Sequence, residues 1–194
     1  MITKQFAQGV YHDISDAVIH DVFTGFKEDY LCIHSLIRKY RPASIFECGT
    51  NVGGGLNVLC NAIYKYEPDA VVYSLDLPYE TMRLNSKQYP IGENGEDRVG
   101  SAARYPYIQL RGDSMDFPFV KYPVECAYID SEHDFEHPYR ELTEFLTMGT
   151  RLIILHDSDI AEVWKAITTA FENFGSGYNL YMVSDTRISY LLKK

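Results

Sequence analysis

Apolar residues along this chain occur in two patterns: short continuous runs, and segments in which they recur every three or four positions. Short runs rich in Val, Ile, Leu and Tyr are typical of buried strands. Recurrence every three or four positions is typical of helices that bury one face. The runs predict seven strands, at about 45–47, 70–76, 107–111, 126–130, 151–157, 178–183 and 188–192. The periodic segments predict helices at about 14–26, 28–40, 56–66, 138–146 and 160–174.

The order of these segments indicates the fold class. Between the first strand and the last helix, strands and helices largely alternate, which is the pattern of an α/β protein with a mostly parallel sheet. The last two strands are joined through Asp185, Thr186 and Arg187 alone. Because a link that short cannot cross over the sheet, these two strands are predicted to run antiparallel.

The chain is predicted to form one structural domain with two additions. Two helices precede the first strand, so residues 1–42 are expected to form an N-terminal helical cap on the domain of residues 43–194. Whether this cap covers the sheet edge, the site or a dimer contact is left open, and a homo-oligomer is one option. Residues 78–104 lack a clear period and hold several Pro and Gly residues. Long irregular segments are often functional, so this insertion is the candidate substrate lid.

A glycine-rich turn follows the first predicted strand. Ser44–Gly55 has the spacing Glu-x-Gly-x-x-x-Gly-x-Gly, with Glu47 closing the strand and pointing an acceptor towards the turn. Glycines are needed where φ is positive or where a ligand lies against bare main chain, and the helix that follows offers unpaired N–H groups. A dinucleotide fingerprint would place glycine at Asn51. An ordinary strand-to-helix turn in another α/β protein is the alternative.

Carboxylates close most of the other predicted parallel strands. Asp76, Asp113, Asp130 and Asp157 each stand at or just after a strand end, and the carboxyl ends of parallel strands meet at one edge of a sheet. A carboxylate after the second strand can accept both hydroxyls of a ribose, so Asp76 favours a cofactor that contains a nucleoside. The alternative for Asp76 is an ordinary acid at a strand end, and the alternative for Asp113 is a turn-forming role.

Three segments resemble class I S-adenosylmethionine-dependent methyltransferases. The glycine turn resembles their first motif. Tyr128-Ile-Asp-Ser-Glu-His-Asp-Phe-Glu resembles the "IDGDHSYE" stretch of small O-methyltransferases similar to cephalosporin-hydroxylase-like and macrocin-type enzymes, with Ser131 where that family often has Gly. Leu155-His-Asp-Ser-Asp and Val163-Trp-Lys-Ala-Ile resemble the same family's "HD" strand end and "GVWKAI" helix. The resemblance spans residues 43–192.

The resemblance implies a fold, a cofactor and a set of site residues. The implied fold is the Rossmann-like methyltransferase fold: a seven-stranded, mostly parallel sheet with an antiparallel terminal hairpin strand and helices on both faces. The implied cofactor is S-adenosyl-L-methionine, and the expected reaction is O-methylation of a small-molecule or sugar hydroxyl. The candidate cofactor-binding residues are Glu47, Gly49, Thr50, Asn51, Gly53, Asp76, Leu77, Asp113, Ser114 and Asp130.

Catalytic and metal-binding candidates lie at the ends of the fourth and fifth strands. Related enzymes hold Mg²⁺ with acids at these two ends, which makes Asp130 and Asp157 candidate ligands of a Mg²⁺ cofactor and Asp159 a weaker third. The alternative is that Asp157 and Asp159 cap the following helix. His133 and His156 are candidate general bases, because histidine titrates near neutral pH. The alternative for each histidine is to orient Asp130 or to fill space.

Composition and charge limit the classes of partner that this protein is expected to bind. The 194 residues carry a net charge of −9 without a Lys/Arg cluster, so a small-molecule acceptor is expected and nucleic acid is not. No apolar run approaches a membrane span, no secretory signal stands at the N-terminus, and the four cysteines lack Cys-x-x-Cys spacing. These features predict a cytoplasmic protein with reduced thiols. A nicotinamide-dependent oxidoreductase and a non-catalytic S-adenosylmethionine-binding or assembly protein are the alternative functions.

Overall fold

A single mixed sheet forms the centre of the computed structural model, which describes residues 3–4, 27–78, 81 and 96–194. Its strands, numbered along the chain, are β1 (Thr3–Lys4), β2 (Ser44–Cys48), β3 (Val71–Asp76), β4 (Ile108–Arg111), β5 (Cys126–Ile129), β6 (Leu152–Leu155), β7 (Tyr178–Met182) and β8 (Ser189–Lys193). The seven strands that the hydrophobic pattern predicts are therefore confirmed. A further two-residue strand, β1, pairs in parallel with β7 at the edge.

The strand order gives the sheet its topology. Within the described part of the chain, the strands lie in the order β1-β7-β8-β6-β5-β2-β3-β4. Neighbours from β6 to β4 run parallel, whereas β8 runs antiparallel to both β6 and β7. The predicted hairpin is confirmed, and its last strand is inserted between β6 and β7. The strand order reverses at β2, because β3 lies on one side of β2 and β5 on the other, and ligands of parallel sheets gather at such a point.

Helices cover both faces of the sheet. The described α-helices are α1 (Lys27–Tyr40), α2 (Gly54–Tyr64), α3 (Glu136–Met148) and α4 (Ala161–Phe174). On one face α1 and α2 pack together through Ile33 and Leu59, and on the other α3 and α4 pack through Leu142 and Ile167. Each of these four side chains is fully buried, and burial of a side chain of this size stabilises the fold by about 1.5–3 kcal/mol.

Several sequence predictions concern segments on the outside of this core. The predicted helix at 28–40 is confirmed as α1, whereas the predicted helix at 14–26 and most of the candidate lid lie outside the described residues. The division of the chain at residue 42 stays a prediction. All four cysteines are buried free thiols. None of the helices in the described part of the chain is long and apolar enough to cross a membrane.

Candidate active site

The glycine turn has a backbone that most side chains would disturb. Gly49, Asn51 and Gly53 all have positive φ, at 93°, 47° and 99°. A Cβ on Gly49 would lie 2.0 Å from the carbonyl oxygen of Asp130, so glycine lets the turn pack directly against the end of β5. The turn is tied to the sheet on its other side as well, because Gly49 N–H donates to Leu75 O at 2.9 Å.

Asp76 lies beside this turn, as its predicted role requires. Its Oδ2 accepts a hydrogen bond from Asn51 N–H and its Oδ1 from Leu77 N–H, each at 2.7 Å. Burial raises the pKa of Asp76, and these two hydrogen bonds act in the opposite direction. The structure thus brings together Gly49, Asn51, Asp76 and Leu77 at the carboxyl ends of β2 and β3.

Glu47 lies below the turn rather than at its rim. Its side chain is 0% exposed, Ser74 Oγ donates to Oε2, and Oε1 has no hydrogen-bond partner among the described residues. Burial raises the pKa of Glu47 well above its usual value, which favours the neutral carboxyl, and the hydrogen bond from Ser74 acts in the opposite direction. Thr50 Oγ1 lies 2.6 Å from Ser74 Oγ. Glu47 thus points towards the glycine stretch, as expected, but it is buried in the sheet–helix interface, where Gly55 leaves room for it, and its part in cofactor binding stays a prediction.

The described end of the candidate lid is fastened to the glycine turn. Gly100 N–H donates to Asn51 O at 2.7 Å, and Ala102 N–H donates to Val52 O at 2.9 Å. The Asn57 side chain donates to Ala102 O at 2.8 Å and accepts from the Arg104 N–H at 2.9 Å. This part of the insertion therefore packs against the glycine turn through main-chain hydrogen bonds. The proposed role of the remaining insertion as a substrate lid concerns residues outside the described ranges and stays a prediction.

An acid–histidine cluster, made up of Asp130, His133, His156 and Asp157, lies at the ends of β5 and β6. His156 Nδ1 is 3.0 Å from Asp157 Oδ2 and 3.4 Å from Asp130 Oδ1. These three residues each offer one ligand atom, and the three atoms lie within 4.8 Å of one another. Asp159 is exposed and lies outside this group. The small cleft next to the cluster is also lined by His133, Glu132 and Ser131.

The two candidate histidines differ in their surroundings. The His156 side chain is 6% exposed; burial lowers its pKa, but Asp130, Asp157 and Asp29 outweigh burial and raise the pKa to about 10. The His133 side chain is 54% exposed and its Nε2 lies 2.8 Å from Asp157 Oδ2. That hydrogen bond raises the pKa of His133 in spite of partial burial. Of these two histidines, His133 is the one exposed to solvent, whereas the buried ring of His156 is poorly placed to reach a substrate proton.

Two residues that sequence reasoning missed complete the cluster. Arg187, in the hairpin link, donates from Nη1 to Asp157 Oδ1 at 2.6 Å and from Nε to Asp29 Oδ2 at 3.0 Å. Asp29, in the first turn of α1, also accepts the Arg187 N–H at 2.8 Å and lies 3.4 Å from His156 Nε2. Burial raises the pKa of Asp157, but hydrogen bonds from His133 and His156 bring it well below its usual value. Arg187 and His156 thus supply part of the positive charge that offsets the clustered acids.

A second polar group lies between the ends of β4 and β5. Asp113 is exposed, accepts the Met115 N–H at 2.9 Å and thereby forms the turn considered as its alternative role. Ser114 is buried. Ser131 Oγ donates to Glu141 Oε2 at 2.8 Å, and Glu141 is a helix residue that the sequence does not single out. Burial raises the pKa of Glu141 to about 7, in spite of the hydroxyls of Ser114 and Ser131, which lower it.

The raised pKa of Glu141 predicts a pH-dependent stability. Because its pKa is about 7 in the folded state against 4.5 for the ordinary value, the contribution of Glu141 to stability is full below pH 4.5 and is lost as pH rises towards 7 and beyond. Compared with Glu141→Gln, the wild type should lose about 2–3 kcal/mol of unfolding free energy between pH 5 and pH 8. Urea unfolding of both proteins at these two pH values measures the difference, and a constant difference would contradict a buried titrating group.

The fold is shared with solved methyltransferases. No protein-family model matches the chain, and no curated protein matches it by sequence. A methyltransferase from Podospora anserina with SAH (S-adenosylhomocysteine) bound is 11% identical, with 93% of this chain and 89% of that one covered and a TM-score of 0.58. An O-methyltransferase from Bacillus cereus in complex with SAH is 15% identical, covers 94% and 93%, and has a TM-score of 0.58. A calicheamicin methyltransferase is 15% identical, covers 86% and 79%, and has a TM-score of 0.57. The chain therefore has the Rossmann-like methyltransferase fold.

Proposed function

We propose that this protein is an S-adenosylmethionine-dependent methyltransferase that methylates a hydroxyl group of a small molecule or sugar. The observation that carries the proposal is the direct contact between the two halves of the site. The glycine turn, which with Asp76 suits an adenosine, packs through Gly49 against Asp130, the first residue of the acid–histidine cluster. A cofactor in the turn and an acceptor at the cluster would therefore be neighbours. The SAH-bound neighbours of the same fold support this choice of cofactor.

The cofactor would lie along the carboxyl ends of β2, β3 and β4. In this arrangement Asp76 binds the ribose hydroxyls, the turn from Gly49 to Gly53 lies against the rest of the cofactor, and Asp113 and Ser114 flank the adenine. Asp130 faces the positive charge of the sulfonium, which a nearby carboxylate stabilises. Glu47 would act indirectly, since its buried side chain supports the turn from below.

His133 would accept the proton of the acceptor hydroxyl. Asp157 holds its Nε2, which leaves Nδ1 to take the proton as the acceptor oxygen attacks. Arg187 and His156 hold Asp157 in turn, so the orientation of His133 is fixed by groups that do not touch the acceptor. The cofactor supplies the electrophilic methyl carbon, and the protein contributes mainly orientation and the transfer of one proton.

A divalent cation fits the same cluster. Asp130, His156 and Asp157 would hold it, since their ligand atoms already lie within 4.8 Å of one another. One imidazole with two carboxylates suits Mn²⁺ or Zn²⁺ as well as the Mg²⁺ expected from sequence. When bound, such an ion lowers the pKa of a coordinated hydroxyl. His156 would have to be deprotonated to hold the ion, and Asp157 would be shared between the ion and Arg187.

Metal binding should depend on two acids of the cluster and not on a third acid nearby. We expect Asp130→Asn and Asp157→Asn to weaken Mn²⁺ binding at least about tenfold, because each removes a charged ligand. Asp159→Asn is the matched control, since Asp159 is exposed and outside the ligand group. Titration followed by electron paramagnetic resonance measures free Mn²⁺ directly. Equal losses in all three variants, or a wild type that binds no Mn²⁺, would contradict the metal site.

The activity itself is tested by methyl transfer. The protein is incubated with S-adenosylmethionine labelled in its methyl group and with a panel of sugars and phenols. The proposal predicts label in at least one methylated product and formation of S-adenosylhomocysteine in equal amount. Tight binding of S-adenosylhomocysteine with no transfer to any member of the panel would favour a non-catalytic binding protein instead.

A further inference from the structure

Glu141 is a buried carboxyl that the proposed mechanism does not use. It lies in α3, it is 0% exposed, and its Oε2 accepts a hydrogen bond from Ser131 Oγ at 2.8 Å. The hydroxyl of Ser114 is close enough to favour its ionised form. Glu141 on α3 therefore holds the segment after β5 through the Ser131 hydroxyl, and it interacts with the Ser114 hydroxyl of the segment after β4, 17 residues earlier in the sequence. We call Ser114, Glu141 and Ser131 the serine bridge.

The serine bridge lies under the edge of the sheet that would hold the cofactor. Ser131 follows Asp130, whose carbonyl oxygen limits the space at Gly49. Ser114 follows Asp113, and the same turn begins with Gly112 N–H donating to the main chain of Asp76 at 3.0 Å. Both hydroxyls thus belong to turns that border the proposed adenosine site. A change in the distance between these turns would change the width of that site.

The bridge has an energetic cost that packing alone does not offset. Burying a carboxyl is unfavourable, and Glu141 Oε1 has no hydrogen-bond partner among the described residues. The charged neighbours that face it, His137 and Asp134, act in opposite directions on its ionisation. An apolar side chain would fill this place in α3 at lower cost, since buried polar groups can often be replaced without loss of stability. What an apolar residue could not do is hold the two serines.

We propose that Glu141 is a positioning residue for the adenine end of the cofactor site, and that it acts by holding Ser114 and Ser131 at a fixed separation. The inference rests on the proposed function, because it needs a cofactor with an adenine between these turns. Glu141 does not touch the cofactor, since it has no exposed surface. Its loss is therefore expected to change affinity for adenosine-containing ligands more than the chemical step.

The test compares Glu141→Val, which keeps a similar volume, with Thr143→Val as the matched control on the same helix. Thr143 also has a buried hydroxyl, and that hydroxyl has no hydrogen-bond partner among the described residues. Calorimetry with S-adenosylhomocysteine and with adenosine should show that Glu141→Val weakens both ligands by the same factor, about tenfold. The melting temperature should fall by no more than in the control. At saturating S-adenosylmethionine kcat should stay within about threefold, so that the change lies in KM.

A double-mutant cycle covers the case in which Glu141→Val does not fold. Glu141→Gln and Ser131→Ala are small changes that should each lower the affinity for S-adenosylhomocysteine. The affinity of the double variant should be no lower than that of whichever single variant binds the ligand less tightly. Strictly additive losses, or wild-type affinity in Glu141→Val with only a lower melting temperature, would overturn the inference and leave a purely structural role. If the wild type itself does not bind S-adenosylhomocysteine, the proposed function has failed, which is a different result.

Discussion

Replacing His133 with glutamine should lower kcat by about 10²–10⁴-fold, the usual contribution of a general base. Glutamine has a similar reach but cannot accept a proton at neutral pH. His133 is the half-exposed member of the cluster, and its contact with Asp157 at 2.8 Å orients the ring. Because the variant leaves the glycine turn and Asp76 untouched, affinity for S-adenosylhomocysteine should stay within about twofold. Single-turnover methyl transfer measures the chemical step, and calorimetry measures the affinity.

The control is His137→Gln, four residues further along the chain. His137 is also held by an acid, with its Nδ1 at 2.8 Å from Asp134 Oδ2, but it is not part of the acid–histidine cluster. Its replacement should change kcat less than about threefold. Equal losses in both variants, or a His133→Gln protein that transfers methyl groups at the wild-type rate, would show that His133 is not the proton acceptor.

Replacing Gly49 with alanine should abolish cofactor binding and cost several kcal/mol of stability. The added methyl group would lie 2.0 Å from the Asp130 carbonyl oxygen, at a residue whose φ is +93°. Main-chain atoms cannot move aside as a flexible side chain can, so the turn or the end of β5 must shift. Strain at a positive φ together with a steric clash makes a loss of about 3 kcal/mol or more reasonable.

Gly177→Ala is the control for this variant. An added Cβ there has no atom within 4 Å among the described residues, so stability should change by less than about 1 kcal/mol. Urea unfolding measures stability, and calorimetry with S-adenosylhomocysteine measures the site. A Gly49→Ala protein that binds the ligand with wild-type affinity would show that the turn is not the cofactor site.

The strands of the sheet could be predicted because each one is marked by the hydrophobic pattern of its own few residues. Runs such as Leu152–Leu155 are apolar along their whole length, as expected for strands covered on both faces. The short link before β8 fixed its direction in advance. The placement of Asp76, Asp130 and Asp157 at one edge also followed from sequence, since the carboxyl ends of parallel strands coincide.

What sequence reasoning missed depends on contacts between distant residues. Asp29 and Arg187 are 158 positions apart, and neither belongs to a motif that points to the other. Glu141 lies in an ordinary helical pattern whose polar positions are normally exposed, and only the packing of α3 on the sheet buries it. Glu47 ends a strand and was expected to face the cofactor, but its side chain is buried and covered by α2.

The roles of the two candidate histidines likewise could not be separated from the sequence. Sequence alone gave His133 and His156 equal standing as bases, since each follows or ends a strand. The structure separates them, because three carboxylates surround the buried His156 ring whereas His133 contacts one and stays half exposed. The number of acids around a ring is a property of the folded site and cannot be read from spacing.

The most direct test of the cofactor assignment is parallel calorimetry of the wild type and Asp76→Ala with S-adenosylhomocysteine and with NADH. We predict that the wild type binds one S-adenosylhomocysteine per chain, that Asp76→Ala weakens it by about 10- to 100-fold through loss of charged hydrogen bonds to the ribose, and that NADH gives no binding heat. Binding of NADH together with no binding of S-adenosylhomocysteine would contradict the account and favour an oxidoreductase.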